Sequence, residues 1–490
     1  MRPLLLLLLL CTVSGNLLAA AQPNIVYILA DDLGYGDVQA LNPQRGKIKT
    51  PHLDKLAAQG MTFTDAHSGS AVCTPTRYGL LTGRYAWRTR LQSGVLDGYV
   101  EPLIAADRLT VPAFLKQQGY HTACIGKWHL GYTIVGAGKD GGGKDAKKLS
   151  MMGAPIGAIT RDGPITRGFD LFYGFHHARM MRSFFEQDRV TQLIEPVDAL
   201  SALTARAASY ITERAKTGQP FFLYLPLSSP HTPIVPSKEW KGKSGLGEYA
   251  DFVMQTDATV GSVLAALDSA DVADNTLVIF TSDNGCSPAA KVDALEKQGH
   301  FASAQYRGYK ADIWEGGHRV TFLVRWPSKV KPGSQSGQTI CHTDLMATCA
   351  DLFGVKLPTT AAEDSLSILP ALLGKDKKPL REATVHHSIN GRFAIRQGSW
   401  KLELCPGSGG WGKPGDNEAK QQGLPELQLY NLSDDPAETK NLADKETAVV
   451  NRLRTLLESY VTHGRSTPGP KQSNDVAVEL LKTDRNSKKK

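Results

Sequence analysis

The hydrophobic pattern of the chain changes period repeatedly from residue 24 onward. Short unbroken apolar runs stand at 25–29 (IVYIL), 123–125 (ACI), 221–225 (FFLYL) and 277–280 (LVIF). Runs with no polar residue at alternate positions fit strands covered on both faces. Between them, 51–60, 111–119, 201–216 and 250–270 read as helices. Strand and helix in alternation predict an α/β fold, a large mixed, mostly parallel sheet flanked by helices. The pattern changes after about residue 375. There 393–396 (FAIR), 400–404 (WKLEL) and 427–430 (LQLY) read as antiparallel strands and 447–460 as a closing helix. That is a smaller C-terminal α+β domain. The chain thus divides into a leader at 1–21, a large domain at 22–375, a small domain at 376–464 and a polar, basic tail at 465–490. The stretch GAGKDGGG at 136–143 is too glycine-rich for regular structure and reads as a surface loop.

The leader reads as an export signal. Arg2 precedes an apolar run at 4–10, and Ala19-Ala20-Ala21 suits cleavage before Gln22. The run is shorter than the ~20 apolar residues of a spanning helix, so no membrane span is expected. Such a protein is exported: periplasmic or secreted, or lysosomal in a eukaryotic cell. Six cysteines then remain, at 73, 124, 286, 341, 349 and 405. An even number in an exported chain permits disulfides. Their wide, irregular spacing suggests buried thiols instead, with Cys341 and Cys349 the only close pair. The formal net charge of +8 suits an anionic polymer as partner or serves solubility alone. No nucleic-acid-binding pattern accompanies it, so no nucleic acid is expected.

In open α/β sheets, ligands bind at the carboxyl ends of strands. The first buried run is followed by Asp31-Asp32 and the last by Asp283-Asn284. Brought together, three carboxylates would repel unless a cation sat among them. A set of oxygen donors without histidine or thiolate selects Ca²⁺, or Mg²⁺, over zinc. Other strand ends add Lys127 and His129, which share a face if the chain stays extended, and His231, set between Pro230 and Pro233. Lys310 lies in a later polar segment.

Cys73 precedes Pro75, a residue suited to a first helical turn, with Thr74 as the expected N-cap. The thiol would then sit at the positive end of a helix, one turn from Arg77. That placement predicts a lowered thiol pKa and a reactive thiolate.

Cys73-Thr74-Pro75-Thr76-Arg77, followed by Leu81-Thr82-Gly83-Arg84, resembles the C-x-P-x-R signature of the formylglycine-dependent sulfatases, in the alkaline-phosphatase-like superfamily. The likeness continues through 24–34, 126–131, 230–233, 282–285, 308–327 and 429–438. It implies that 22–375 is the catalytic domain. It also implies that a formylglycine-generating enzyme oxidises Cys73 to formylglycine, whose hydrate attacks sulfur through one hydroxyl and releases sulfate through the other. Asp31, Asp32, Asp283 and Asn284 would hold Ca²⁺ together with residue 73. Arg77 and His129 would hold the diol, Lys127 and Lys310 would neutralise the sulfuryl group, and His231 would protonate the leaving oxygen. Lys127, His231 and Lys310 would thereby contact substrate.

The implied activity is sulfuric ester hydrolysis on a sulfated carbohydrate, with aryl sulfates as artificial substrates. Besides a plain cysteine hydrolase acting through an unmodified Cys73, two alternatives compete. One is a phosphonate or phosphate ester hydrolase of the same superfamily. Those that use two zinc ions tend to have histidine where this chain has Asn284. The other is a catalytically silent protein that binds sulfated glycans. The segment FHHARMMR at 175–182 is rich in cationic donors and lies where sulfatases often line the sugar pocket.

Overall fold

The computed structural model describes residues 22–135 and 153–482. The expected leader, the glycine-rich stretch at 136–143 and the three terminal lysines lie outside them. The apolar runs form the centre of a ten-stranded sheet. In chain order the strands are β1 (Asn24–Asp31), β2 (Met61–Phe63), β3 (Ala66–His67), β4 (His121–Lys127), β5 (Leu171–Phe175), β6 (Ser183–Glu186), β7 (Arg189–Leu193), β8 (Phe221–Pro230), β9 (Thr276–Ser282), β10 (Phe322–Arg325), β11 (Ser334–Ser336) and β12 (Ile340–Cys341). Across the sheet their order is β11-β2-β10-β9-β1-β8-β4-β5-β6-β7. The central strands β9, β1, β8, β4 and β5 are mutually parallel. The antiparallel pairs lie outward of them. β3 and β12 form a separate short ladder.

Alternate residues of β1 serve two different cores. Ile25, Tyr27 and Leu29 face one; Val26, Ile28 and Ala30 face the other. Helices α1 (Pro51–Gln59), α2 (Cys73–Thr82), α3 (Val111–Gln117), α4 (Pro196–Ala215) and α5 (Glu248–Ser269) supply the covering layers. α2 and α3 bury Leu80, Leu81, Phe114 and Leu115 against the first face. α1, α4 and α5 bury Leu53, Leu203 and Val260 against the second. A strand with helices on both sides has no solvent face, so it reads as an unbroken apolar run.

The second sheet is antiparallel: β13 (Thr384–His387), β14 (Phe393–Gln397), β15 (Trp400–Glu403) and β16 (Gln428–Asn431). Helix α6 (Thr447–His463) lays Leu453 and Leu457 against Ile395, Leu402 and Leu429. The sequence pattern gave no sign of β13, whose four residues include His386 and His387. All six cysteines among the described residues are free, Cys341 and Cys349 included. No helix among the described residues is long and apolar enough to cross a membrane.

Residues 465–482, expected as part of a polar tail, run back over the large sheet's side. Asp475 pairs with Arg84 at 3.0 Å and donates its N–H to the Arg88 carbonyl at 2.8 Å. Arg88 is buried and forks onto Asp364, Nε and Nη2 each donating at 2.8 Å. Asp364 also accepts from the Ser466 hydroxyl at 2.8 Å and the Tyr85 N–H at 2.9 Å. Breaking such a pair on one side leaves a buried, uncompensated charge, at a cost of about 3–5 kcal/mol. Arg88→Met should therefore lower the thermal midpoint by several degrees, and pairing it with Asp364→Leu should recover most of the loss. Equal midpoints for wild type and Arg88→Met in a calorimetric scan would show that this pair does not brace the fold.

Candidate active site

The site lies where β1, β9, β4 and β8 end and α2 begins. Asp31 is the last residue of β1, and Asp32 follows at φ 67°. Successive strand residues face opposite sides. The left-handed turn at Asp32 brings the second carboxylate to the same pocket as the first. A non-glycine residue there is strained and needs support. Asp37 gives it by accepting from the Gly34 N–H at 2.7 Å, the Tyr249 hydroxyl at 2.5 Å and His300 at 2.8 Å. Leu33 N–H also donates to Ser282 Oγ at 3.0 Å, tying the β1 turn to the end of β9.

Asp283 and Asn284 come from the turn after β9. The Asp32 N–H lies 3.3 Å from Asp283 Oδ1, and Asn284 Nδ2 donates to Asp32 Oδ1 at 2.8 Å. Three cations close around the carboxylates. Arg77 donates to Asp283 Oδ2 through Nε at 3.2 Å and Nη2 at 2.8 Å, to the Lys127 carbonyl at 3.0 Å, and lies 3.5 Å from Asp31. Lys127 reaches Asp31 at 2.5 Å and Lys310 reaches Asp32 at 2.6 Å. His231 Nε2 lies 3.7 Å from Asp32 Oδ2. Ligand atoms of Asp31, Asp32, Cys73 and His231 all lie within 4.8 Å of one another.

Lys127 and His129 reach the site by a route other than the extended one expected. Gly126 has φ 140°, and a Cβ there would sit 1.9 Å from the Pro226 carbonyl oxygen. His129 is itself left-handed at φ 54°. Its Nε2 meets the Leu96 carbonyl at 2.8 Å, which assigns the ring proton to Nε2. His129 Nδ1 is then a buried lone pair without a hydrogen-bond partner.

Two expectations about Cys73 need correction. α2 begins at Cys73 itself, with Val72 as the extended N-cap instead of Thr74. Thr74 accepts from the Leu96 N–H at 3.2 Å instead. The thiol pKa is raised, not lowered: burial pushes it up to about 12, against Lys127 and Lys310. A helix dipole is worth about 1 kcal/mol, less than one pKa unit. Full burial can shift a group by up to 3–5 units, so desolvation wins.

The carboxylates differ from one another. Burial alone would raise Asp31, but Lys127, His231, Arg77 and Lys310 hold it well below the usual range. Burial and the Asp31 charge push Asp283 up to about 7, against Arg77. Burial and Lys310 bring His231 down to about 4, against Asp32. Burial, then His177 and Lys127, hold His129 well below its ordinary value.

Asp31 Oδ1 and Asn284 Oδ1 are buried without a hydrogen-bond partner. Buried acceptors of this kind are expensive unless something binds them. They fit a hard cation held by oxygen. His177 packs edge-on to His129, ring centroids 4.3 Å apart, and its Nδ1 accepts from the Arg179 N–H. Nearer solvent, Arg179 and Asp97 pair at 3.5 Å. The Leu96 carbonyl and Asp97 come from an irregular stretch with no local motif, and sequence reasoning missed them.

A family model described as Sulfatase matches residues 23–355. The chain belongs to the sulfatase family. It is 36% identical over 488 residues to an N-acetylgalactosamine-6-O-sulfatase of Bacteroides thetaiotaomicron, covering 90% of this chain and 93% of that protein. It is 31% identical over 504 residues to human arylsulfatase A, covering 94% and 92%. A solved structure titled for glycosaminoglycan metabolism by Bacteroides thetaiotaomicron superposes with a TM-score of 0.76 at 33% identity, over 90% of this chain and 99% of that one. The chain is thus a sulfuric ester hydrolase, with the sulfatase fold of a large mixed sheet and a small antiparallel one.

A cation bound to the folded state alone stabilises it by mass action, by about 2.7 kcal/mol at a hundredfold excess over Kd. Stripping the sulfatase with a chelator should lower its thermal midpoint, and Ca²⁺ should restore it. Asp283→Ala should abolish the response. Stoichiometric zinc by elemental analysis, with no calcium or magnesium, would contradict the oxygen-donor reading.

Proposed function

We propose that this sulfatase removes sulfate from a sulfated carbohydrate, with formylglycine made from Cys73 at its centre. The observation that carries the reading is the meeting of Cys73 with Asp31, Asp32 and His231, framed by Lys127, Arg77 and Lys310. Hydrated formylglycine supplies a geminal diol in place of the thiol. Asp31, Asp32, Asp283 and Asn284 would hold Ca²⁺, which would supply Lewis-acid chemistry at the site.

The chain's own groups then divide the work. Arg77 keeps Asp283 in place through its two-nitrogen contact. His129, neutral and with Nδ1 bare, would accept a hydrogen bond from the diol of residue 73 and take its proton. Lys127 and Lys310 offset charge on the sulfuryl oxygens as the ester bond breaks. His231 protonates the leaving oxygen. Burial first, and the Lys310 charge second, hold His231 low; a bound sulfate anion would oppose the Lys310 part and so favour a proton on the ring.

The substrate class rests on likeness. The bacterial relative is named for the 6-sulfate of N-acetylgalactosamine. The net charge of +8 and the exposed Arg179 and Arg182 of the 175–182 segment suit an anionic sugar, whereas burial keeps His176 and His177 of that segment neutral. Export through the expected leader would bring the enzyme to such glycans, after a formylglycine-generating enzyme has acted.

Two measurements test this. After maturation, the peptide containing Cys73 should carry an aldehyde, seen by mass and by reaction with a hydrazide probe. Full activity with an intact thiol would overturn the formylglycine reading, and faster turnover of phosphate or phosphonate esters than of sulfate esters would overturn the sulfate assignment. The second measurement concerns His231. A phenol leaves readily, with a pKa near ~10, whereas a sugar alkoxide is far more basic. General acid catalysis is worth roughly 10²–10⁴-fold. His231→Ala should lose most of that in kcat/KM on N-acetylgalactosamine 6-sulfate and much less on 4-nitrophenyl sulfate. Lys127→Ala and Lys310→Ala should injure both. Equal losses for His231→Ala would make it a sulfate-binding residue only.

A further inference from the structure

Asp312 is a buried carboxylate two residues beyond Lys310. Its Oδ2 accepts from the Tyr309 N–H at 3.0 Å, within its own loop. Its Oδ1 accepts from the Trp411 N–H at 2.9 Å and the Gly412 N–H at 2.7 Å. The loop between β15 and β16 is therefore clasped onto the Lys310 loop. Other backbone bonds extend the stack. Ile313 N–H donates to Ser408 at 2.8 Å, and Ala311 N–H donates to Ala71, two residues before Cys73, at 2.8 Å. The glycines beside Trp411 are required by this close approach. A Cβ at Gly410 would lie 2.3 Å from the Ala311 oxygen, and one at Gly412 would lie 2.5 Å from Asp312 Oδ2.

Trp411 itself is 53% exposed, while Trp87, Trp128, Trp314 and Trp326 are buried. The backbone that carries this exposed indole is tied to the segment that carries Lys310, and the side chain gains little in folding from facing water. An aromatic side chain on a backbone fixed in this way is suited to recognition, since less conformational entropy is lost when it is covered. The apolar C–H face of a pyranose is a fitting cover, because an indole face is electron-rich and those hydrogens are its positive edge.

We propose that Trp411 is the platform on which a sugar ring of the substrate stacks while its sulfate lies against Lys310 and residue 73. Asp312 is the positioning residue that fixes the platform. This rests on the sulfated-carbohydrate reading above, and gives the small antiparallel sheet a part in substrate choice.

The test uses matured full-length enzyme, N-acetylgalactosamine 6-sulfate, a sulfated disaccharide containing it, and a short alkyl sulfate. Trp411→Ala should lower kcat/KM on the saccharides at least tenfold, mainly through KM, with a much smaller loss on the alkyl ester. Trp411→Phe should stay within about threefold of wild type. Asp312→Asn should raise KM on the saccharides while leaving kcat near wild type. An unchanged KM for Trp411→Ala on active saccharides overturns the platform alone. So do equal losses on all three esters. A wild type that cleaves the alkyl ester and neither saccharide removes the carbohydrate reading, and the platform with it.

Discussion

Asp31, Asp32 and Asp283 are buried at the ends of two neighbouring strands, and the protein itself must offset the charge they bring together. Lys127, Arg77 and Lys310 do so, each within 3.5 Å of at least one of them. Away from water such contacts are several times stronger than on a surface. They are also demanding, because an unmatched buried charge costs several kcal/mol. Much of the surrounding structure serves this matching. The left-handed turn at Asp32, the support from Asp37 and Tyr249, the bend at Gly126 and the fork of Arg77 all deliver charged groups to one point.

The balance also explains the pocket's character. Three carboxylates facing three cations are close to neutral, and two ligand-type oxygens are left bare. Adding a dication makes the pocket positive, a field that draws in an anion. Neutral His129 and His231 complete the set without adding to that charge. The arrangement therefore suits an anionic ester better than a neutral one, before any contact with the rest of the substrate.

The sequence made the large sheet legible because its central strands are covered on both faces, and Ile25 to Ala30 had to be apolar at every position. It also exposed most of the site, since polar residues stand directly after each such strand. What it hid was tertiary. The Cys73 thiol is buried by strand ends far away in the chain, and that burial outweighs both the helix end and the charges of Lys127 and Lys310, so local helix logic gave the wrong sign for its pKa. Lys127 and His129 were matched by an extended spacing that the backbone does not keep. The clasp between Asp312 and Trp411 spans 99 residues and has no local signature. Residues 465–482 looked like a tail because they are polar, yet their polar groups are what Arg84 and Arg88 bind.

The small antiparallel sheet is more than an appendage to the catalytic one. The His387 carbonyl at the end of β13 accepts from the Ala71 N–H and from the Ser70 hydroxyl, both at 2.9 Å. The turn that presents Cys73 is thus held from one side by the second sheet and from the other by the strand ends of the first. The charges come from the strand ends of the large sheet, the turns that follow them, α2 and the Lys310 loop, whereas the loop that carries Trp411 comes from the small sheet. Such a division lets the sugar-facing surface change while the charge balance around residue 73 stays fixed. The two parts still meet at Asp312, where the Trp411 and Gly412 N–H groups bind a carboxylate two residues from Lys310, so the side chain at 411 can vary more freely than the backbone that carries it.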